Sequence, residues 1–339
     1  TWEKSYKTNI GLEMMLWGKL NLTLDYYWER RKDILIQRSS LPSMAGFDAS
    51  IYANMGEMDN KGVDANLEYQ TRIGNKVGLR LFGNLTYSKN KIVFRDEPAM
   101  QYAYQKSEGT RYGEFYGYIA EGYFQSEEEI KKSPRQMREL APGDIKYKDL
   151  NDDGVIDAND QCYLGKSWFP SWSYGMGFNI NYHNFDLALF FQGVSDVSIM
   201  ANGGSIDTGN GDWGASGVGI VPFTGMGLNP SNVITKALDR WTADNPRMTA
   251  NATTNDNNYV NSTHWLKDGS YLRLKQASLG YTLENKKLMD KGIEYLYFYL
   301  SGQNLLTFSK FKLWDPELGS NGAKYPLSRM VTLGMRVSF

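Results

Sequence analysis

Apolar and polar residues alternate along much of this chain. In 6–16, Tyr6, Thr8, Ile10, Leu12, Met14 and Leu16 share one parity. A tight turn follows at Trp17-Gly18-Lys19. Leu20, Leu22, Leu24, Tyr26 and Trp28 then face one way, with Asn21, Thr23, Asp25 and Tyr27 facing the other. Side chains of a strand point alternately to opposite faces, so this pattern predicts a hairpin of two long strands, each oily on one side and wet on the other.

The pattern recurs. Val63, Ala65, Leu67 and Tyr69 alternate with Asp64, Asn66, Glu68 and Gln70, turn at Gly74-Asn75, and continue as Val77, Leu79, Leu81, Leu85 and Tyr87. A third hairpin joins Met176, Phe178, Ile180 and Tyr182 to Phe185, Leu187, Leu189 and Phe191 through His183-Asn184. A fourth spans 270–283 and 294–304. Its first strand changes phase near Gln276, which predicts a β-bulge. The chain closes on 330–339, where Val331, Leu333, Met335, Val337 and Phe339 alternate with Thr332, Gly334, Arg336 and Ser338.

Between these segments 33–59, 91–170, 194–269 and 305–329 read as irregular, with short helices expected at 126–140 and 231–241. Short and long links alternate strictly. Transmembrane barrels of the outer membrane have short periplasmic turns and long extracellular loops. The pattern therefore predicts an all-β fold, an antiparallel transmembrane β-barrel with long extracellular loops. It sets Leu20, Leu22, Leu24, Val331, Leu333, Met335 and Val337 against lipid, and Asn21, Thr23, Thr332, Arg336 and Ser338 toward the lumen. The segments number nine. Nine strands with open edges suit only part of a barrel, since unpaired edges in lipid are costly.

Composition fits. Of 339 residues, 41% are hydrophobic and 14% aromatic, with 23 Tyr and 9 Trp. Tyr and Trp favour membrane interfaces. No apolar run reaches the length of a membrane helix. A net charge of −1 gives no argument for nucleic acid. Cys162 is the one cysteine, which excludes an intrachain disulfide and a thiolate metal cluster. The chain starts at Thr1 without an initiator Met or signal peptide, as expected of a processed form or a fragment.

One stretch carries metal chemistry. Residues 149–160, DLNDDGVIDAND, match an EF-hand type of calcium loop. Asp149, Asn151 and Asp153 take positions 1, 3 and 5, and Gly154 the sharp turn at 6. The Val155 carbonyl takes 7, Asp157 takes 9 and Asp160 takes 12. Ca²⁺ needs six to eight hard oxygens, and this spacing curls them round one point. Asp replaces the usual Glu at position 12, and the flanks do not read as two long helices. A solvated acidic turn is the alternative. Elsewhere His183 and His264 read as solvated polar residues, and Glu127, Glu128 and Glu129 as a solvated helix face. Trp213, Trp241 and Trp265 are loop aromatics that could stack on a sugar or pack within the loops. No catalytic residues are assigned.

Several ordered stretches resemble one family. They are NMGEMDNKGVDANLEY (54–69), PGDIKYKDLNDDGVIDANDQ (142–161), WLKDGSYLRLKQASLGYTL (265–283), SGQNLLTFSKFKLWDPE (301–317) and the terminal YPLSR…LGMRVSF. Together with TWEKSYKTNIGLEM at the start, they are similar to the SusC/RagA-like family of TonB-dependent transporters. The resemblance implies a barrel of about 22 strands, of which 1–339 would be the C-terminal part, preceded by a plug domain absent here. It implies a location in the outer membrane, import of oligosaccharides or peptides, a SusD-like surface lipoprotein as lid, and energy from the TonB complex acting through the plug. No covalent reaction is implied. A rival reading is a secreted, soluble, calcium-dependent carbohydrate-binding or glycosidase β-protein, with strands of about 5–6 residues and a catalytic acid pair. A passive porin or adhesin barrel is a third.

Overall fold

The computed structural model describes residues 2–41, 44, 46, 50–74, 76–201, 256–258, 260–290, 292–320 and 325–339. The helix expected at 231–241, with Trp213 and Trp241, lies outside the described residues. Among the described residues, fifteen strands occur in chain order. They are β1 Lys4–Leu16, β2 Leu20–Gln37, β3 Tyr52–Ile73, β4 Val77–Phe94, β5 Glu114–Gly117, β6 Ala120–Tyr123, β7 Ile145–Tyr147 and β8 Cys162–Ser167. Then come β9 Trp172–Tyr182, β10 Phe185–Ser195, β11 Ser198–Met200, β12 Leu266–Asp268, β13 Tyr271–Leu283, β14 Tyr295–Ser309 and β15 Met330–Ser338.

Nine of them form one antiparallel wall in the order β1-β2-β3-β4-β9-β10-β13-β14-β15. The wall strands run from 9 to 22 residues, far beyond the 5–6 that the soluble rival required. Trp17 and Gly18 both have positive φ, as a type I′ hairpin turn demands. No helix among the described residues is long and apolar enough to cross a membrane, and the strands do the crossing.

Register carries each face unbroken across the wall, because directly paired residues share a face. One row runs Leu79–Ile180–Leu187–Leu279–Leu300–Leu333 through five successive pairings. Its neighbour one residue along runs Arg80–Asn179–Ala188–Ser278–Ser301–Thr332. The expected lipid-facing residues all lie on the first face, and Asn21, Thr23, Thr332, Arg336 and Ser338 on the second. On β9 the apolar face reads Trp172, Tyr174, Met176, Phe178, Ile180, Tyr182. Aromatic residues thus end a stretch of about 33 Å of strand, which at the usual tilt matches an apolar band of about 25 Å.

The expected bulge is present. Phe190 pairs with Gln276 and Phe191 with Leu274, leaving Lys275 as the extra residue. It returns Arg273 to the polar face and Leu274 to the apolar one.

Several expectations need correction. The stretches set as irregular at 91–170 and 194–269 hold the short strands β5–β8 and β11–β12, and β14 runs on to Ser309. The irregular stretch set at 33–59 is confined to 38–51, because β2 continues to Gln37 and β3 begins at Tyr52. Asp33 takes φ 55° and register shifts occur between Arg31 and Leu35, so an extra residue breaks the alternation without ending the strand. The helix expected over 126–140 spans only Glu127–Lys132 (α1). Ser126 caps it, and Pro134 biases Ser133 to extended backbone and stops it.

The fully buried core is not in the wall, which is one residue thick. Phe124, Ile145, Tyr147, Ile156 and Ile199 are the large apolar side chains with least exposure, and all sit in links at the long-loop end. Among the described residues, segment 95–171 folds together there with 196–201, 256–258 and 260–270 into a roof.

Candidate functional site: the luminal face and the loop roof

The polar face is grooved. Asn21, Thr23, Asn66, Glu68, Arg80, Phe82 and Asn84 line one hollow of about 310 Å³. Asn179, Asn181, Asp186, Thr282, Tyr297 and Arg336 line another of about 520 Å³. Tyr297 donates to Asp186 at 3.0 Å over bare Gly280, where a Cβ would strike both. Arg80 makes paired bonds to Glu68 at 2.9 and 3.1 Å. This face offers amides, carboxylates and aromatic edges, the lining of a polar passage.

The roof is fastened by a polar network. Asn258 and Asn257 are fully buried. Asn258 accepts from the Ile145 N–H at 2.9 Å and donates to Asp144 at 2.7 Å. Asn257 donates to the Ile145 carbonyl at 3.0 Å and accepts from Gln136 at 2.9 Å. Tyr147 donates to the Asn257 carbonyl at 2.6 Å, and burial pushes its phenol pKa well up. Trp265 is buried and donates through Nε1 to the Asn258 carbonyl at 2.7 Å, so this tryptophan packs within the loops.

His264 departs from its expected solvated state. It lies edge-on to Tyr123 and Trp265, with centroids at 5.5 and 4.8 Å. Burial, reinforced by the Lys267 charge, lowers its pKa to about 4. His183 is exposed in its turn, as expected.

A second fastening reaches into the barrel mouth. Arg273, 1% exposed on the polar face, donates to both oxygens of Asp315 at 2.6 and 2.8 Å. Tyr271 donates to Glu317 at 2.8 Å. The link after β14 is therefore folded inward and held against β13. The sequence shows these residues as two separate motifs; only the bulge at Lys275, which sets the facing of Arg273, signals the meeting.

In the acidic loop, Asp149 accepts from the N–H groups of Asp152 and Gly154 at 2.7 and 2.8 Å. Asp160, fully buried, accepts from Leu150 and Asp157, both at 2.8 Å, and closes the loop. Gly154 takes the left-handed turn at φ 82°. Asn151 donates to Asp153 at 2.9 Å, and Asp153 accepts from Val155 N–H at 2.9 Å. The donor set of Asp149, Asn151, Asp153, Val155 carbonyl, Asp157 and Asp160 is chemically right for Ca²⁺. Among the described residues no three His, Cys, Asp or Glu side chains already converge as a cluster.

Sequence reasoning passed over one surface feature. Tyr112 and Phe169 stack at 5.9 Å and Trp168 stands edge-on to Phe169 at 5.6 Å, all three exposed. Arg111 fixes this platform by donating to the Phe169 carbonyl and Ser171 at 3.3 and 2.7 Å while paired with Asp196 at 3.0 Å.

Comparison with known proteins agrees with this architecture. Residues 1–305 match the family model described as TonB dependent receptor-like, beta-barrel. TonB-dependent receptor P3 of Formosa agariphila is 29% identical, over all of this chain and 34% of its own length. TonB-dependent receptor SusC of Bacteroides thetaiotaomicron is 22% identical, over all of this chain and 32% of its own length. The solved RagAB peptide transporter shares the fold with a TM-score of 0.75, at 23% identity, over all of this chain and 35% of that one. The chain spans about a third of the length of the curated relatives it matches. It belongs to the TonB-dependent receptor β-barrel family, whose members, like the SusC-type relatives expected from its motifs, reside in the outer membrane.

Proposed function

We propose that this chain is the C-terminal wall and roof of a TonB-dependent importer of nutrient oligomers, glycans or peptides, working with a SusD-like surface lipoprotein as lid. The observation that carries the reading is the pairing of a continuous polar luminal face with a roof of long links fastened at one end of the wall. A passive pore would need no such anchored roof. The platform of Tyr112, Phe169 and Trp168 suits stacking on a sugar ring or an apolar side chain. Selective binding would occur at the outer face, and a plug moved by the TonB complex would open the passage. Asp149, Asn151, Asp153, the Val155 carbonyl, Asp157 and Asp160 would hold one structural Ca²⁺ in the roof. The test is purification of the full-length protein from its native outer membrane, with mass spectrometry of what accompanies it. A stoichiometric surface lipoprotein and a bound oligomer are expected. An unaccompanied protein with open-pore conductance would favour the porin reading.

A further inference from the structure

The apolar face changes character just beyond the outer aromatic belt. Tyr87 and Trp172, paired across β4 and β9 with rings 4.5 Å apart, belong to that belt. One row further toward the loops, Trp28, Lys61 and Lys89 stand directly opposite one another on β2, β3 and β4. The next row is Arg30, Asp59 and Lys91. All lie on the outward face, since Val63 and Tyr87 beside them do.

The carboxylates of this patch already have cations. Asp59 is 3.3 Å from Arg30, Glu57 is 3.6 Å from both Arg30 and Lys32, and Asp33 is 2.8 Å from Lys4. Among the described residues, Lys61, Lys89 and Lys91 have no carboxylate partner, and all three are exposed. Lys61 faces Lys89 across the ladder, an arrangement of like charges that costs stability unless an anion lies between them. Two residues further along β4, about 7 Å away, Lys91 brings a third ammonium within reach of the same point. An anion there would sit at the level where the hydrocarbon ends and headgroups begin.

We propose that Lys61, Lys89 and Lys91 bind the phosphate-bearing headgroup of an outer-leaflet lipid, whose acyl chains lie on the apolar wall beneath Trp28 and Tyr87. The site follows from insertion of the barrel alone and is independent of what the protein imports.

The test uses the full-length protein in phosphatidylcholine nanodiscs carrying either bisphosphorylated lipid A or its phosphate-free counterpart. Lipid retained through a mild detergent exchange is measured by mass spectrometry. Preferential retention of the phosphorylated form is expected, weakening with salt. Lys89→Gln should lower it about fivefold, and Lys61→Gln/Lys89→Gln/Lys91→Gln on the order of a hundredfold. The corresponding triple arginine variant should keep it. If the triple glutamine variant fails to assemble, the single one decides. Equal retention of both lipids by the wild type, or no loss in Lys89→Gln, would overturn the proposal. Displacement of the lipid by inorganic phosphate at equal concentration would also overturn it, assigning the site to the free ion.

Discussion

The side-chain amide of Asn258 donates to the carboxylate of Asp144 at 2.7 Å, joining two loops across 114 residues of sequence. Both residues are buried. The same side chain accepts from Ile145 N–H, so one asparagine satisfies a carboxylate and a backbone donor that burial would otherwise leave exposed to their full desolvation cost. Asn258→Ala should therefore weaken roof docking by about 2–4 kcal/mol. The check is limited proteolysis of 133–165 in the folded barrel. Faster cleavage with unchanged heat-modifiable migration is expected. Unchanged cleavage would mean that the lock contributes nothing.

The Arg273–Asp315 pair gives a second case. Breaking a buried pair from one side costs about 3–5 kcal/mol, whereas replacing both partners with apolar groups costs much less. Arg273→Met should release 311–320 to protease. Arg273→Met/Asp315→Leu should release it less. Equal release in the two variants would show that the clamp does not act as a pair.

Acidification should loosen the roof. The His264 pKa is lowered to about 4 in the fold, from an ordinary 6.5. Above pH 6.5 both folded and unfolded imidazoles are neutral, and the contribution is complete. As pH falls from about 6.5 to about 4, the unfolded chain takes up the proton first, so stability is lost across that window. Protease resistance of the roof, followed against pH, should fall there in wild type. His264→Gln should flatten that part of the curve. An unchanged slope would rule His264 out as its cause.

The facing of the wall is testable at adjacent residues. Leu333→Arg sets a charge against lipid and should cost roughly 2–4 kcal/mol near the midplane. Thr332→Arg, on the luminal face, should cost far less. Equal losses in denaturant unfolding from lipid would mean that the assignment of faces is wrong.

The wall was legible because apolar side chains dominate the lipid-facing parity of its strands between the aromatic belts. Leu20 to Trp28 and Val331 to Phe339 declare their facing without help from neighbours. The phase change at Gln276 was readable for the same reason, since Leu274 and Ala277 both meet lipid. Legibility failed where that constraint lapses. Beyond Asp33 strand β2 lies past the aromatic belt, and there it pairs with Gly56 and Asn54 near the start of β3, which mark no face. The roof was opaque because its elements are short and its fastenings join distant residues. Nothing local in Asn257-Asn258 tells of Asp144 or Gln136. His264 was misplaced as a surface group because burial in the roof depends on tertiary docking alone. The acidic loop was visible from spacing, but the bonds that close it through Asp160 were not.

That loop sets the last prediction. Asp149, Asp153, Asp157 and Asp160 lie within one short stretch, and several carboxylates drawn together without a cation repel one another. Backbone N–H groups offset part of this at Asp149 and Asp160. Asp153 serves its own loop through Val155 and Asn151 and is partly free to turn toward an ion. Ca²⁺ oxygens at about 2.3–2.6 Å would convert mutual repulsion into a fixed shape. Removing one ligand should then loosen the loop without touching the wall, whose strands pair independently of it. Asp153→Ala should abolish calcium-dependent protease resistance of 142–165 and leave barrel assembly unchanged. The measurement is cleavage of wild type and variant in calcium and in chelator. Wild type should be protected only in calcium, and the variant in neither. Identical cleavage of wild type under both conditions would leave an acidic turn held by its own backbone, with no role for a metal.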